Sequence, residues 1–289
     1  MESRGSQARA PRDRLSEVRR CPRVFRRPAR SYERRIAVGG LTGWYTDFGA
    51  GAGVADPVVI LATTLARGRS YAWTIDCLAP HFRVITVEMP GCGRGSATPG
   101  PWGFVQYAQW AVRFLDATGL SRVTLVGHSN SAGAALVVAA NHPERVGHLV
   151  LADSVGSGKA PSVPRVIAGR SIDALIEHRL TLVGWHHVVY NALFQPADFF
   201  HQIWLSVHED LKRYAARVRA PTLIAWGKQD FTLPLRCGRT LKEVIPGAEL
   251  YVSRGGSHDW IIDRAPEFAA AVRGFLDRVA SAGCGACPV

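Results

Sequence analysis

The chain lacks the long apolar runs that a membrane crossing needs. Its longest such stretches, of which Ser131 to Ala140 is typical, fall well short of the roughly 18 to 20 residues required, and no early segment has the apolar centre of a secretory signal. Six cysteines, four of them (Cys21, Cys77, Cys92, Cys237) without a partner at short spacing, are too few and too scattered for a disulfide scaffold. A protein of the reducing cytoplasm, with no membrane span, is the expectation. Repeats of 20 to 50 residues are absent, which excludes solenoids and propellers. The glycine-rich stretches Gly49 to Gly53 and Gly91 to Gly95 lack the G-x-G-x-x-G spacing that leads into a dinucleotide-binding helix. His186, His187, His201 and His208 follow no repeated metal-ligand spacing, and the Cys284 and Cys287 pair has no second ligand pair. No cofactor and no metal are expected.

What is present suits a large core, since 47% of the 289 residues are hydrophobic and 20% charged. The net charge of +12 belongs mainly to one end: residues 1 to 35 hold twelve arginines against four acids, a local +8 that leaves +4 for the rest. With no hydrophobic periodicity there, residues 1–32 are expected to be a disordered Arg-rich tail, and the body carries no signature of nucleic-acid binding. Four acids, Glu2, Asp13, Glu17 and Glu33, speak against an organellar targeting peptide.

From Glu33 onward, strand patterns alternate with helical ones. Arg34 to Val38 and Thr42 to Asp47 read as a hairpin around Gly39 and Gly40. Short, almost continuous apolar runs follow at Val58 to Leu61, Val84 to Val87, Val123 to Val126, His148 to Ala152, Thr222 to Trp226 and Leu250 to Ser253. Such runs suit parallel strands buried on both faces. Helical patterns lie between them at Tyr71 to Leu78, Phe104 to Thr118, Ala132 to Asn141 and Pro266 to Val279. The fold class predicted is α/β, a mostly parallel, doubly wound sheet. Some 65 residues between Ser154 and Arg219 lack a buried-strand pattern, and they gather Trp185, Tyr190, Phe194, Phe199, Phe200 and Trp204 among helix formers. An inserted helical cap at 154–219 is expected, on a core of 33–153 and 220–281, with a flexible tail at 282–289.

The chemistry is concentrated after three strands. Val123 to Val126 runs into Gly127-His128-Ser129-Asn130-Ser131 and then a helix, a strand-turn-helix with serine at its apex. The apical residue of such an elbow is strained, so residues two before and two after it must be small. Gly127 and Ser131 meet that demand, although the customary second glycine is here a serine. A serine needs a base, and the base an orienting group. Asp230 follows the strand Thr222 to Trp226, and His258 lies in the loop after the last strand, so both fall at the carboxyl edge where sites of open α/β sheets gather. Asp153 is an alternative orienting acid, Asp259 is expected at the surface, and His128 is expected to pack behind the serine.

The order Ser129, Asp230, His258, together with the turn Glu88-Met89-Pro90-Gly91-Cys92-Gly93-Arg94-Gly95-Ser96, resembles the α/β-hydrolase fold superfamily in its cap-bearing, esterase-like branch, over residues 33 to 280. The resemblance implies a catalytic triad, with an oxyanion hole from the backbone N–H groups of Asn130 and Thr64. It departs from the family where His-Gly usually stands, since this chain has Ala62-Thr63-Thr64. The implied substrate is a small molecule, a carboxylic ester, lactone or thioester with an apolar group. C–C hydrolysis, acyl transfer and perhydrolysis use the same trio, and a non-catalytic binding relative is the reading from another class.

Overall fold

The hairpin turn comes first, because it decides how the sheet begins. Gly39 and Gly40 both adopt positive φ (59° and 80°), the conformation a two-residue turn between antiparallel strands requires. It joins β1 (Glu33–Val38) to β2 (Leu41–Phe48) with Val38 opposite Leu41. In the computed structural model, which describes residues 33–49, 56–63, 66–177 and 189–284, β2 then pairs antiparallel with β4 (Val84–Glu88). Every later pairing is parallel: β4 with β3 (Val58–Leu61), β3 with β5 (Val123–His128), β5 with β6 (Val146–Ala152), β6 with β7 (Thr222–Gly227), and β7 with β8 (Glu249–Ser253). The eight strands stand in the order β1-β2-β4-β3-β5-β6-β7-β8. All residues of β3, β4, β5 and β7 are buried, as their almost continuous apolar runs anticipate for strands covered on both faces.

Two helical layers do the covering. On one face α2 (Phe104–Ala117), α3 (Ser131–Asn141) and a helix at Arg236–Val244 pack on Val59, Leu61, Leu125, Leu149 and Trp226. On the other, α1 (Ala72–Leu78) and the C-terminal helix at Ala265–Cys284 pack on Val58, Ile60, Val126, Val150 and Ala225. Chain direction across the sheet reverses between β3 and β5, so their carboxyl ends flank a crevice. Leu61 pairs with Gly127, which sets the loop after β3 beside the turn after β5.

Between β6 and β7 lie α4 (Val163–Ile176), a helical stretch at residues 189–194, α5 (Pro196–His208) and α6 (Lys212–Ala215), the helical insert the spacing predicts. Most of its described aromatics on this stretch point outward. Phe199 is buried, but Phe194, Phe200 and Trp204 are 69%, 62% and 48% exposed, while the inward stripe is polar: Asn191, Gln195, Asp198 and Gln202. These side chains bond the backbone or hydroxyl groups of the Gly91 to Thr98 loop, where amides and carbonyls outside any strand ladder require polar partners. Trp185 and the Arg-rich tail lie outside the described residues. Numbered in chain order, the remaining helices are α7 (Arg236–Val244), α8 (Trp260–Asp263) and α9 (Ala265–Cys284). α9 runs past residue 282 into the stretch expected as a flexible tail. No described helix is long and apolar enough to cross a membrane.

Candidate active site

The elbow after β5 has the strain its sequence foretells. Ser129 sits at φ 55°, a conformation costly for any residue but glycine, and it is held by backbone bonds from Ser129 N–H to Ala152 O (2.8 Å) and from Ala132 N–H to Ser129 O (3.2 Å). A Cβ on Gly127 would lie 2.4 Å from Ala132 Cα, so only glycine lets β5 and α3 approach this closely. Ser131, at the other position that must be small, adds a tie: its hydroxyl accepts the His128 N–H (3.1 Å) and donates to Leu61 O (2.5 Å), fastening the elbow to the end of β3.

Three predicted side chains meet here. Ser129 Oγ stands 2.8 Å from His258 Nε2, and His258 Nδ1 stands 2.9 Å from Asp230 Oδ2. The other carboxylate oxygen, Asp230 Oδ1, accepts the Leu233 N–H at 2.7 Å, which fixes the carboxylate. His258 and Asp230 are both almost fully buried. Burial disfavours a charged imidazole, but the Asp230 charge and hydrogen bond, with Asp259 behind them, outweigh it and lift the His258 pKa to about 9. That is well above the ordinary histidine value of about 6.5, and two nearby carboxylates account for the difference.

The alternative acid occupies another role. Asp153, also at positive φ (44°), turns Oδ1 to the Gly227 N–H (2.8 Å), and burial together with the Asp230 charge raises its carboxyl well above the usual carboxylate range. It is Asp230 that faces the imidazole.

Behind the serine, His128 is fully buried, as its position next to the elbow suggests, and it joins the loops on either side. The Thr63 N–H donates to Tyr71 Oη (3.2 Å), Tyr71 O–H donates to His128 Nδ1 (2.8 Å), and His128 Nε2–H donates to the carbonyl of His258 (3.2 Å). That sequence of donors requires a neutral ring, and burial lowers the His128 pKa to about 4 despite the pull of Asp259. Asp259 departs from its expected surface place. It is 5% exposed, with Oδ1 3.4 Å from His128 Nε2 and its other oxygen on Arg170. A short helix, α8, starts directly after it and turns the side chain inward.

Of the two implied oxyanion donors, Thr64 lies outside the described residues. Asn130 occupies the start of α3, where backbone N–H groups and the helix dipole favour negative charge. Its side chain is turned to α5, with Nδ2 donating to Gln202 Oε1 (3.0 Å) and Oδ1 accepting from Ser206 Oγ (3.0 Å). Gln202 and Ser206 carried no signal in the sequence beyond helical spacing within the insert. Ala62, Met89, Phe104 and Tyr107 pack closely beside this contact.

Comparison with known proteins agrees with this fold. Residues 56–169 match the family described as alpha/beta hydrolase fold. The chain is 32% identical over 218 residues to 2-hydroxymuconate semialdehyde hydrolase of Pseudomonas putida, covering 67% of this chain and 76% of that one. Among solved structures it resembles the enol-lactonase from Burkholderia xenovorans LB400 (TM-score 0.69, 22% identity, 84% of this chain and 100% of that one). The bromoperoxidase from Bacillus anthracis is similar in fold as well (TM-score 0.73, 21% identity, 85% and 99%). With its sheet order, its elbow and a relative of this identity, the chain belongs to the α/β-hydrolase fold superfamily.

Proposed function

We propose that the protein is a serine hydrolase that cleaves a carboxylic ester, lactone or thioester through an acyl-enzyme. The observation that carries this reading is the continuous chain from Asp230 Oδ2 through His258 to Ser129 Oγ, with links of 2.9 and 2.8 Å and the serine held in a strained turn. In this geometry neutral His258 has its proton on Nδ1, where Asp230 receives it, and a lone pair on Nε2 facing the serine hydroxyl. As Ser129 Oγ attacks the carbonyl carbon, its proton passes to Nε2, and the imidazolium is balanced by Asp230. The oxyanion is met by the N–H of Asn130 at the start of α3 and, on the family pattern, by that of Thr64. Collapse of the tetrahedral intermediate returns the proton to the leaving group. Water, deprotonated by the same histidine, then releases the acid and restores Ser129. No step needs a cofactor.

A second reading, hydrolysis of a C–C bond by the same residues, is favoured by the 32% identity to 2-hydroxymuconate semialdehyde hydrolase. One panel separates the two: p-nitrophenyl esters of graded chain length, aliphatic lactones and thioesters, and 2-hydroxymuconate semialdehyde, each with wild type and Ser129→Ala. Turnover of the esters, lactones or thioesters that Ser129→Ala abolishes is the expected result. Turnover confined to the semialdehyde transfers the assignment to C–C hydrolysis, and turnover that survives in Ser129→Ala refutes both.

A further inference from the structure

Helix α4 turns most of its charges inward, the wrong side for an ordinary surface helix. Ile167, Ile172, Leu175 and Ile176 are exposed, whereas Asp173 and the following Glu177 are buried and the Arg170 side chain is only 20% exposed. Each of these inward groups ends on one of the two loops that bear the acid and the base. Asp173 accepts the N–H of Phe231 (3.1 Å) and both the N–H (2.9 Å) and the hydroxyl (2.6 Å) of Thr232, the two residues after Asp230. Glu177 Oε1 accepts from Ser257 Oγ (2.6 Å) and from the Asp259 N–H (2.8 Å), the residues on either side of His258. Arg170 spans Glu177 Oε2 (3.1 Å) and the Asp259 carboxylate. Gly169 makes the approach possible, for a Cβ there would stand 2.1 Å from the carbonyl oxygen of Phe231. Docking of the insert by itself would be served as well by apolar packing, since buried ion pairs rarely out-stabilise hydrophobic contacts.

We propose that α4 is the mount of the acid and base loops, with Arg170, Asp173 and Glu177 acting as positioning residues that hold Asp230 and His258 in register and, through the Arg170–Asp259 pair, set the charge that the imidazole meets. This rests on the serine-hydrolase reading. It makes the insert part of the base's support as well as a cover over the site. The charged and titratable groups around His258 are Asp230 from the loop after β7, Asp259 beside it, Arg170 and Asp173 from α4, and the neutral ring of His128, 5.8 Å away; Glu177 stands behind Asp259. Asp259 favours the imidazolium and Arg170 opposes it, so removing each must move the base in opposite directions.

The test is the pH dependence of the rate at which a fluorophosphonate inactivates the full chain, a reaction that requires neutral His258 and no knowledge of the substrate. Relative to wild type, the inflection should fall by about one pH unit in Asp259→Asn and rise by about one in Arg170→Met, with Arg170→Lys returning it close to wild type. Asp173→Asn should slow inactivation about tenfold at its plateau, because the acid loop loses part of its anchorage. Inflections that stay put, or that move the same way, in folded Asp259→Asn and Arg170→Met overturn the proposal while leaving the serine-hydrolase reading intact. Should Arg170→Met fail to fold, Arg170→Gln, which also removes the charge but keeps a polar side chain there, is read in its place. A wild type that does not react at all overturns the reading and the proposal together.

Discussion

Two buried aspartates stand at neighbouring sheet ends, and replacing each by asparagine should have opposite consequences. In Asp230→Asn the amide has its orientation chosen for it. The position of Oδ1 must still accept the Leu233 N–H, now at 2.7 Å, so the NH₂ is left facing His258 Nδ1, 2.9 Å away. A donor facing Nδ1 drives the imidazole proton to Nε2, where it points at Ser129 and cannot accept the serine proton. The expected loss in kcat is up to about 10⁴, or roughly 5.5 kcal/mol of transition-state stabilisation, with little change in KM. Asp153→Asn keeps its acceptor for the Gly227 N–H (2.8 Å) and removes a carboxyl whose burial, beside Asp230, holds it well above the usual range. A carboxyl raised in the folded state lends its stability below the unfolded pKa and loses it as pH rises toward the folded value. Asp153→Asn should therefore keep kcat within about tenfold of wild type, and its Tm advantage over wild type should grow between pH 4 and pH 8. Steady-state kinetics on an ester that wild type turns over, with thermal melts at both pH values, decide the matter. If Asp153→Asn is the more damaging change, the acid assignment is wrong.

Other outcomes follow from the same geometry. The kcat/KM of wild type should rise with pH through an inflection above the ordinary histidine value, toward about 9, because the base works only when neutral and both Asp230 and Asp259 favour its charged form; an inflection at or below 6.5 would contradict that electrostatic picture. Ser131→Ala removes partners from the buried Leu61 carbonyl and the His128 N–H, and a thermal or urea melt should register a loss of about 1 to 3 kcal/mol. Deleting residues 1 to 30 should leave kcat/KM for a small neutral ester within about threefold of wild type, since every site residue proposed lies beyond Leu61.

Features that depend on local pattern were legible in the chain. Strands buried on both faces are mostly apolar along their length, so β3 to β7 announce themselves, and the elbow is written in Gly127, Ser129 and Ser131 because strain and close approach restrict those positions to few residue types. What was hidden depends on direction in space. Helical spacing relates Arg170, Asp173 and Glu177 but does not say which way their face points, and a charged stripe ordinarily points outward. The same ambiguity leaves the side taken by Phe194, Phe200 and Trp204 open in the sequence; the polar stripe of Asn191, Gln195, Asp198 and Gln202 faces inward because the loop after β4 presents amides and carbonyls that need polar partners. Helix α7 escaped notice because its buried side is small, Cys237, Gly238, Thr240 and Leu241, with Gly238 lying against the ring of Trp226. Asp259 needed the fold as well: adjacent loop residues usually point apart, and only the start of α8 brings it inward beside His128.

The central claim, that Ser129 is the nucleophile activated by His258, is tested most directly by mapping where a fluorophosphonate attaches. The account predicts one adduct per chain, found by mass spectrometry on the peptide containing Ser129 and lost in a folded Ser129→Ala variant. An adduct on any other residue, or stoichiometric labelling that persists in Ser129→Ala, would contradict it.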